Sequence, residues 1–245
     1  MKIFITDGGS DSFFTAVFDA YKESECVITS DSQVQMSFDS EIVKVERDTE
    51  KCGRVQRGIE KYDRNAIDDI LLVLRSSDSL KEQIAFDYIK RLMERKSPVD
   101  KAFNLPEVIV FNELKGKVTY EIHRFCGFLR FMESENGAFY APYSPDHDIT
   151  DLLMPHFVAR FQTEKFVIHD IGRKIAGVYD SHEWVMVYAG EAEIYLSEYE
   201  KVFQTLWKKY YKSVNIKERP HEKQMKGYMP VRYWKFLPEK NAENP

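Results

Sequence analysis

The hydrophobic period of this chain changes near residue 128, and that change limits what it can fold into. Before that point apolar residues recur at helical spacing: Val55, Ile59 and Tyr62, then Ile67, Ile70, Leu71 and Leu74, then Ile84, Tyr88, Ile89 and Leu92. A further helix around Val110, Leu114, Val118, Ile122 and Phe125 continues the pattern. Beyond it the period shortens. Phe128–Glu133 and Ala138–Tyr143 flank Asn136-Gly137, a type I′ hairpin signal. Phe166-Val167-Ile168 is apolar on both faces and reads as a buried central strand. Lys174–Tyr179 and Trp184–Tyr188 flank Asp180-Ser181-His182 as a second hairpin. The order predicts an α+β fold: a helical N-terminal half, then an antiparallel or mixed sheet of two hairpins plus a central strand covered by helices.

Residues 1–100 are expected to form a mostly helical region with one or two short strands. Residues 101–245 are expected to form an α+β domain ending in a basic, aromatic segment. Lys2–Thr6 and Glu41–Val45 are the short strands. Between them Asp7-Gly8-Gly9-Ser10 reads as a turn, with Ser10 or Asp11 capping a helix to about Glu23. The glycine pair lacks the Lys-Ser/Thr of a P-loop and the spacing of a dinucleotide fingerprint. Pro155 begins or kinks a short helix through Phe161. Ser197 caps a last helix, whose Val202, Phe203, Leu206, Trp207 and Tyr210 make one apolar stripe with Lys201, Lys208 and Lys212 on the other side.

Several classes of protein are disfavoured. No apolar run approaches the roughly 20 residues of a membrane-spanning helix. Met1-Lys2-Ile3-Phe4-Ile5-Thr6-Asp7 turns polar too soon for a signal peptide, so a cytoplasmic location is expected. Cys26, Cys52 and Cys126 are odd in number and far apart, which argues against disulfides and cysteine metal sites. The net charge of −5 is unevenly spread. Residues 201–240 hold eleven Lys or Arg against three Asp or Glu, a local +8 on an otherwise acidic chain. Such an end suits a polyanion or an acidic partner, or is simply a solvated helix and tail.

Two groups of residues carry candidate chemistry. The first is rich in His, Asp and Arg. Arg124 and Arg130 flank a Phe-rich run, Asp146-His147-Asp148 follows the first hairpin, His156 and Arg160 lie four apart, and His169-Asp170 closes the central strand just before Arg173. These residues suit three roles. Imidazole and carboxylate can hold a metal ion, although neither HxxxH nor HExxH is present, so no metal or other cofactor is assigned. The arginines can grip phosphate. Or His and Asp at strand ends can cap turns. The second group is the segment from Arg219 through Lys223 to Arg232-Tyr233-Trp234-Lys235. There cations can neutralise phosphates while aromatics stack on unpaired bases, or the aromatics can anchor the segment to the core.

Together these stretches resemble a bacterial family of DNA-metabolism proteins whose members are encoded beside a radical-SAM protein assigned to DNA modification or repair. A related domain is fused to a uracil-DNA glycosylase-like domain. The matching stretches are His123-Arg124-Phe125, Gly127–Phe131, Pro145–Asp148, Pro155-His156-Phe157 with Arg160-Phe161, Val167–Asp170 with Arg173, and Met229-Pro230 with Arg232–Lys235. Cys126 departs from the pattern, which has a more polar residue there. The resemblance implies an accessory role in DNA repair or modification, with nucleic acid and a radical-SAM protein as partners. It brings no active site. An enzyme acting on damaged nucleotides through His147, His156 or His169 with Asp146, Asp148 or Asp170 is the alternative, and a non-catalytic structural partner the third reading.

Overall fold

A computed structural model describes residues 1–31, 40–190, 195–214 and 226–240. The fold is α+β, and the chain divides into two compact units, Met1–Thr119 and Tyr120–Pro245. The division falls inside one long helix.

The first unit holds a three-stranded parallel sheet and helices. Strand β1 (Lys2–Ile5) lies between β2 (Cys26–Thr29) and β3 (Glu41–Lys44). Sequence alone misses β2, because Cys26-Val27-Ile28-Thr29 is short and shows no alternation. Helix α1 (Ser10–Ala20) buries Phe13, Phe14 and Val17. Neither Ser10 nor Asp11 caps it, since Gly9 is the N-cap and makes no side-chain bond. Asp7 does that work from outside. Its carboxylate accepts from the Ser12 hydroxyl and the Gly9 N–H and pairs with Arg47, and these donors hold its pKa down at about 2. Gly8, at φ 82°, makes the turn.

Helices α2 (Thr49–Glu60), α3 (Ala66–Leu74) and α4 (Lys81–Arg95) bury Ile59, Ile70, Ile89 and Leu92 of the predicted stripes, and α3 also buries Val73, while Ile67, Leu71 and Leu74 are half-buried. Asp48 caps α2 by accepting from Glu50 N–H and Lys51 N–H. Tyr88 stacks on Phe111 with ring centroids 3.8 Å apart, and its buried hydroxyl has no partner among the described residues. Helix α5 (Pro106–Phe128) runs from this unit into the next.

The second unit is built on a five-stranded mixed sheet in the order β4-β5-β6-β7-β8: β4 (Met132–Glu133), β5 (Phe139–Tyr143), β6 (Phe166–Asp170), β7 (Ile175–Tyr179) and β8 (Trp184–Tyr188). The two hairpins are the β4–β5 and β7–β8 pairs, and β6 is central as expected. The one parallel pair is β5–β6, joined through α6 (Thr150–Phe161). Pro155 lies inside α6 and does not begin it. The first hairpin departs from type I′. Only Gly137 takes positive φ, at 77°, and its N–H donates to Ser134 O. That is the three-residue loop in which the glycine sits at the bulge position.

Helix α6 covers one face of the sheet. Gly177 on β7 makes this approach possible, because a Cβ there would stand 2.3 Å from Met154 Sδ. Helix α7 (Glu198–Val214) follows, with Ser197 Oγ accepting from Glu200 N–H. Its apolar stripe is split: Val202, Phe203, Leu206 and Tyr210 are exposed, while Trp207 faces the unit with Glu200 and Gln204. A 3-10 segment, Val231–Phe236, closes the unit with Tyr233 buried.

Candidate functional site

The hub of the C-terminal unit is an acid on α5. Glu121 follows Leu114 and Val118 and precedes Phe125 on the buried face of that helix. Its carboxylate accepts three hydrogen bonds: Oε1 from Asp146 N–H (2.9 Å) and from the Tyr233 hydroxyl (2.6 Å), Oε2 from His147 N–H (2.8 Å). Burial and this carboxylate together raise the Tyr233 pKa well above its ordinary value. Sequence reasoning missed Glu121, although a lone Glu at the i+3 position of an apolar stripe was a usable signal.

Around this hub the predicted residues fall into separate sets of contacts. Arg173 ties the Asp146 loop to the end of β6: it donates to Pro145 O, Asp146 O and the fully buried Asp170 carboxylate. Arg232 pairs with the Asp146 carboxylate and donates to the Tyr233 oxygen. Both arginines are thus engaged in holding the fold. His169, on β6, is buried between the Tyr140 hydroxyl (2.6 Å) and Ala189 O (3.3 Å). His147 is buried, Asp148 is half-buried, and His156 is exposed on α6 with its ring against the edge of Phe157. Among the described residues no three His, Cys, Asp or Glu side chains are placed to share a metal ion.

The remaining cations divide between structure and surface. Arg124 lies over the Tyr120 ring and donates to Gly227 O. Arg130 pairs with Glu239, whose other oxygen accepts from Trp207 Nε1. Trp234 Nε1 donates to Met229 O, and Lys235 stands over Phe236. Arg219 and Lys223 lie outside the described residues. Arg160 is exposed and has no ion pair or hydrogen bond among the described residues.

The Glu239 contacts set a pH dependence. Burial alone would raise this carboxyl, but Arg130 and Trp207 outweigh it and hold its pKa below the ordinary value. A depressed folded pKa stabilises above the unfolded value and is lost as pH falls through the folded one. The Glu239→Gln variant should therefore lose less stability than the parent between about pH 5 and 3, as measured by urea unfolding across that range.

Beside these contacts lies a cleft of about 770 Å³. Its inner wall is a cluster of phenylalanines: Phe131 meets Phe157 at 5.0 Å and Phe161 at 4.8 Å between centroids, and Phe139 stacks near Phe161. The outward stripe of α7, through Tyr199, Val202, Phe203 and Leu206, makes another wall. Arg130 and Arg160 line it too. The volume lies within the range of small-molecule sites, about 300–1,000 Å³. Of these lining residues the sequence reading singled out Arg130 and Arg160 for binding. The aromatics come from three elements and one loop, and only the fold assembles them.

Comparison with curated proteins and with solved structures returned no match. One family model, described as "Domain of unknown function (DUF4130)", matches residues 79–239, about two-thirds of the chain, and spans every contact of the hub and the cleft. The chain belongs to that family.

Proposed function

We propose that this chain is an accessory protein of DNA repair or modification, working beside a radical-SAM protein, and that it binds unpaired nucleic acid in the aromatic cleft of residues 120–240. The observation that carries the reading is Arg160, an unpaired cation on the rim of a cleft walled by Phe131, Phe161, Tyr199 and Phe203. Aromatic faces stack on bases of any sequence, and an arginine beside them meets the backbone phosphate. The C-terminal segment enters this reading differently from its composition. Tyr233 and Arg232 are committed to Glu121 and Asp146, so the segment completes the unit that presents the cleft.

The test is a titration of fluorescent single-stranded and duplex DNA at several salt concentrations. Single strands should bind more tightly than duplex, with affinity falling as salt rises. Arg160→Ala should weaken single-strand binding about threefold to tenfold and reduce the salt slope by about 0.7, the share of one phosphate contact. Absence of salt-sensitive binding, alone and with the radical-SAM protein, would sink the reading.

A further inference from the structure

The cleft holds acids as well as aromatics and arginines. Glu200, nearly buried on α7, has both oxygens engaged: Oε1 accepts from Gln204 Nε2 (2.8 Å) and Oε2 from Glu133 N–H (3.1 Å). It thereby fixes α7 against β4. Glu133, also in the lining, accepts from the Ser197 hydroxyl at Oε2, and its Oε1 makes no hydrogen bond among the described residues. A carboxylate oxygen only accepts. The cleft thus offers flat apolar faces, one free acceptor and one unpaired guanidinium.

A ligand that satisfies all three has a planar ring, an N–H donor on its edge and an anion attached. From this we infer that the cleft takes a single unstacked base with an exocyclic amino group, such as cytosine or adenine. Glu133 accepts from the amine, Phe203 and the Phe131 cluster stack on the ring, and Arg160 meets the adjoining phosphate. The inference rests on the nucleic-acid reading above and narrows it to a base class. Thymine presents a carbonyl where cytosine presents its amine, and its one edge N–H, at N3, lies between two carbonyls whose lone pairs face the Glu133 carboxylate. It fits the walls and is refused at the edge.

The experiment uses the full chain and a thymine-only strand with one central position varied as cytosine, adenine, thymine or an abasic site. The cytosine and adenine strands should bind about tenfold more tightly than the other two. Glu133→Gln, whose amide can donate to a thymine carbonyl, should remove most of that preference. Phe203→Ala should bring the cytosine and adenine strands close to the abasic one. Phe203 is exposed, so this variant keeps its fold, and melting followed by tryptophan fluorescence verifies that. Equal, salt-sensitive binding of all four strands would overturn the base site while leaving nucleic-acid binding through the backbone intact. No binding of any strand would overturn both. A cleft whose Phe203→Ala variant binds every strand as the parent does belongs to another occupant, such as a helix of a protein partner.

Discussion

Glu121→Ala should lower the unfolding free energy of residues 120–240 by about 3–5 kcal/mol. The side chain is buried on α5, and three donors converge on it from two other parts of the chain: the Asp146-His147 loop supplies two N–H groups, and the closing segment supplies the Tyr233 hydroxyl. Each donor left buried without a partner costs about 1–3 kcal/mol, and water entering the vacated space recovers part of that. Glu121→Gln should recover less than half of the loss. The amide has a single accepting oxygen, and its NH2 group would face a donor. Tyr233→Phe removes two bonds, the one given to Glu121 and the one accepted from Arg232, and should cost about 1–3 kcal/mol. All three tryptophans, Trp184, Trp207 and Trp234, lie in this unit, so urea unfolding followed by tryptophan fluorescence reads it alone. A loss below about 1 kcal/mol for Glu121→Ala would show that the hub does not hold the unit together.

Gly177→Ala should cost about 2–3 kcal/mol, far more than one methyl group added to a strand ordinarily does. The new Cβ would stand 2.3 Å from Met154 Sδ and 2.8 Å from its Cγ, so α6 or the Met154 side chain must shift. Met154→Ala alone should also destabilise by about 2–3 kcal/mol, since it empties a buried site. Combined, the two should fall short of their sum by at least about 1 kcal/mol, because the alanine methyl then occupies space the methionine vacated. Simple additivity would show that α6 is held away from β7 by something other than this contact.

The elements of the fold were legible where local rules act alone. Helical stripes such as Ile67, Ile70 and Leu74 state their own geometry, Gly137 marks its turn though not the turn type, and both hairpins follow from strands that pair with their sequence neighbours. Legibility ended where one element must choose between faces. In α7 the apolar stripe through Val202, Phe203 and Leu206 implies an inward face, yet Glu200, Gln204 and Trp207 point inward, because hydrogen bonds to Glu133 and Glu239 fix the helix on that side. The arginine-rich motifs were visible as a cluster, but composition does not say which cations are already satisfied. Arg173 and Arg232 proved to be struts, and Arg160 did not. Glu121 stood in plain view within a stripe and was passed over because a single acid carries no motif.

The closing segment also dictates when folding can finish during synthesis. Tyr233 supplies a donor to Glu121, which lies 112 residues earlier in the chain, and Glu239 supplies the partner of Arg130 across 109 residues. A ribosome releases the first unit's core long before either contact exists, so that unit can settle while the second waits with its hub acid one donor short. The unit's longest-range contacts then close late, when residues 231–239 emerge. A chain stalled before that point would expose Phe125, on which Tyr233 packs, together with one oxygen of the buried Glu121 carboxylate, the kind of surface that chaperones and proteases recognise.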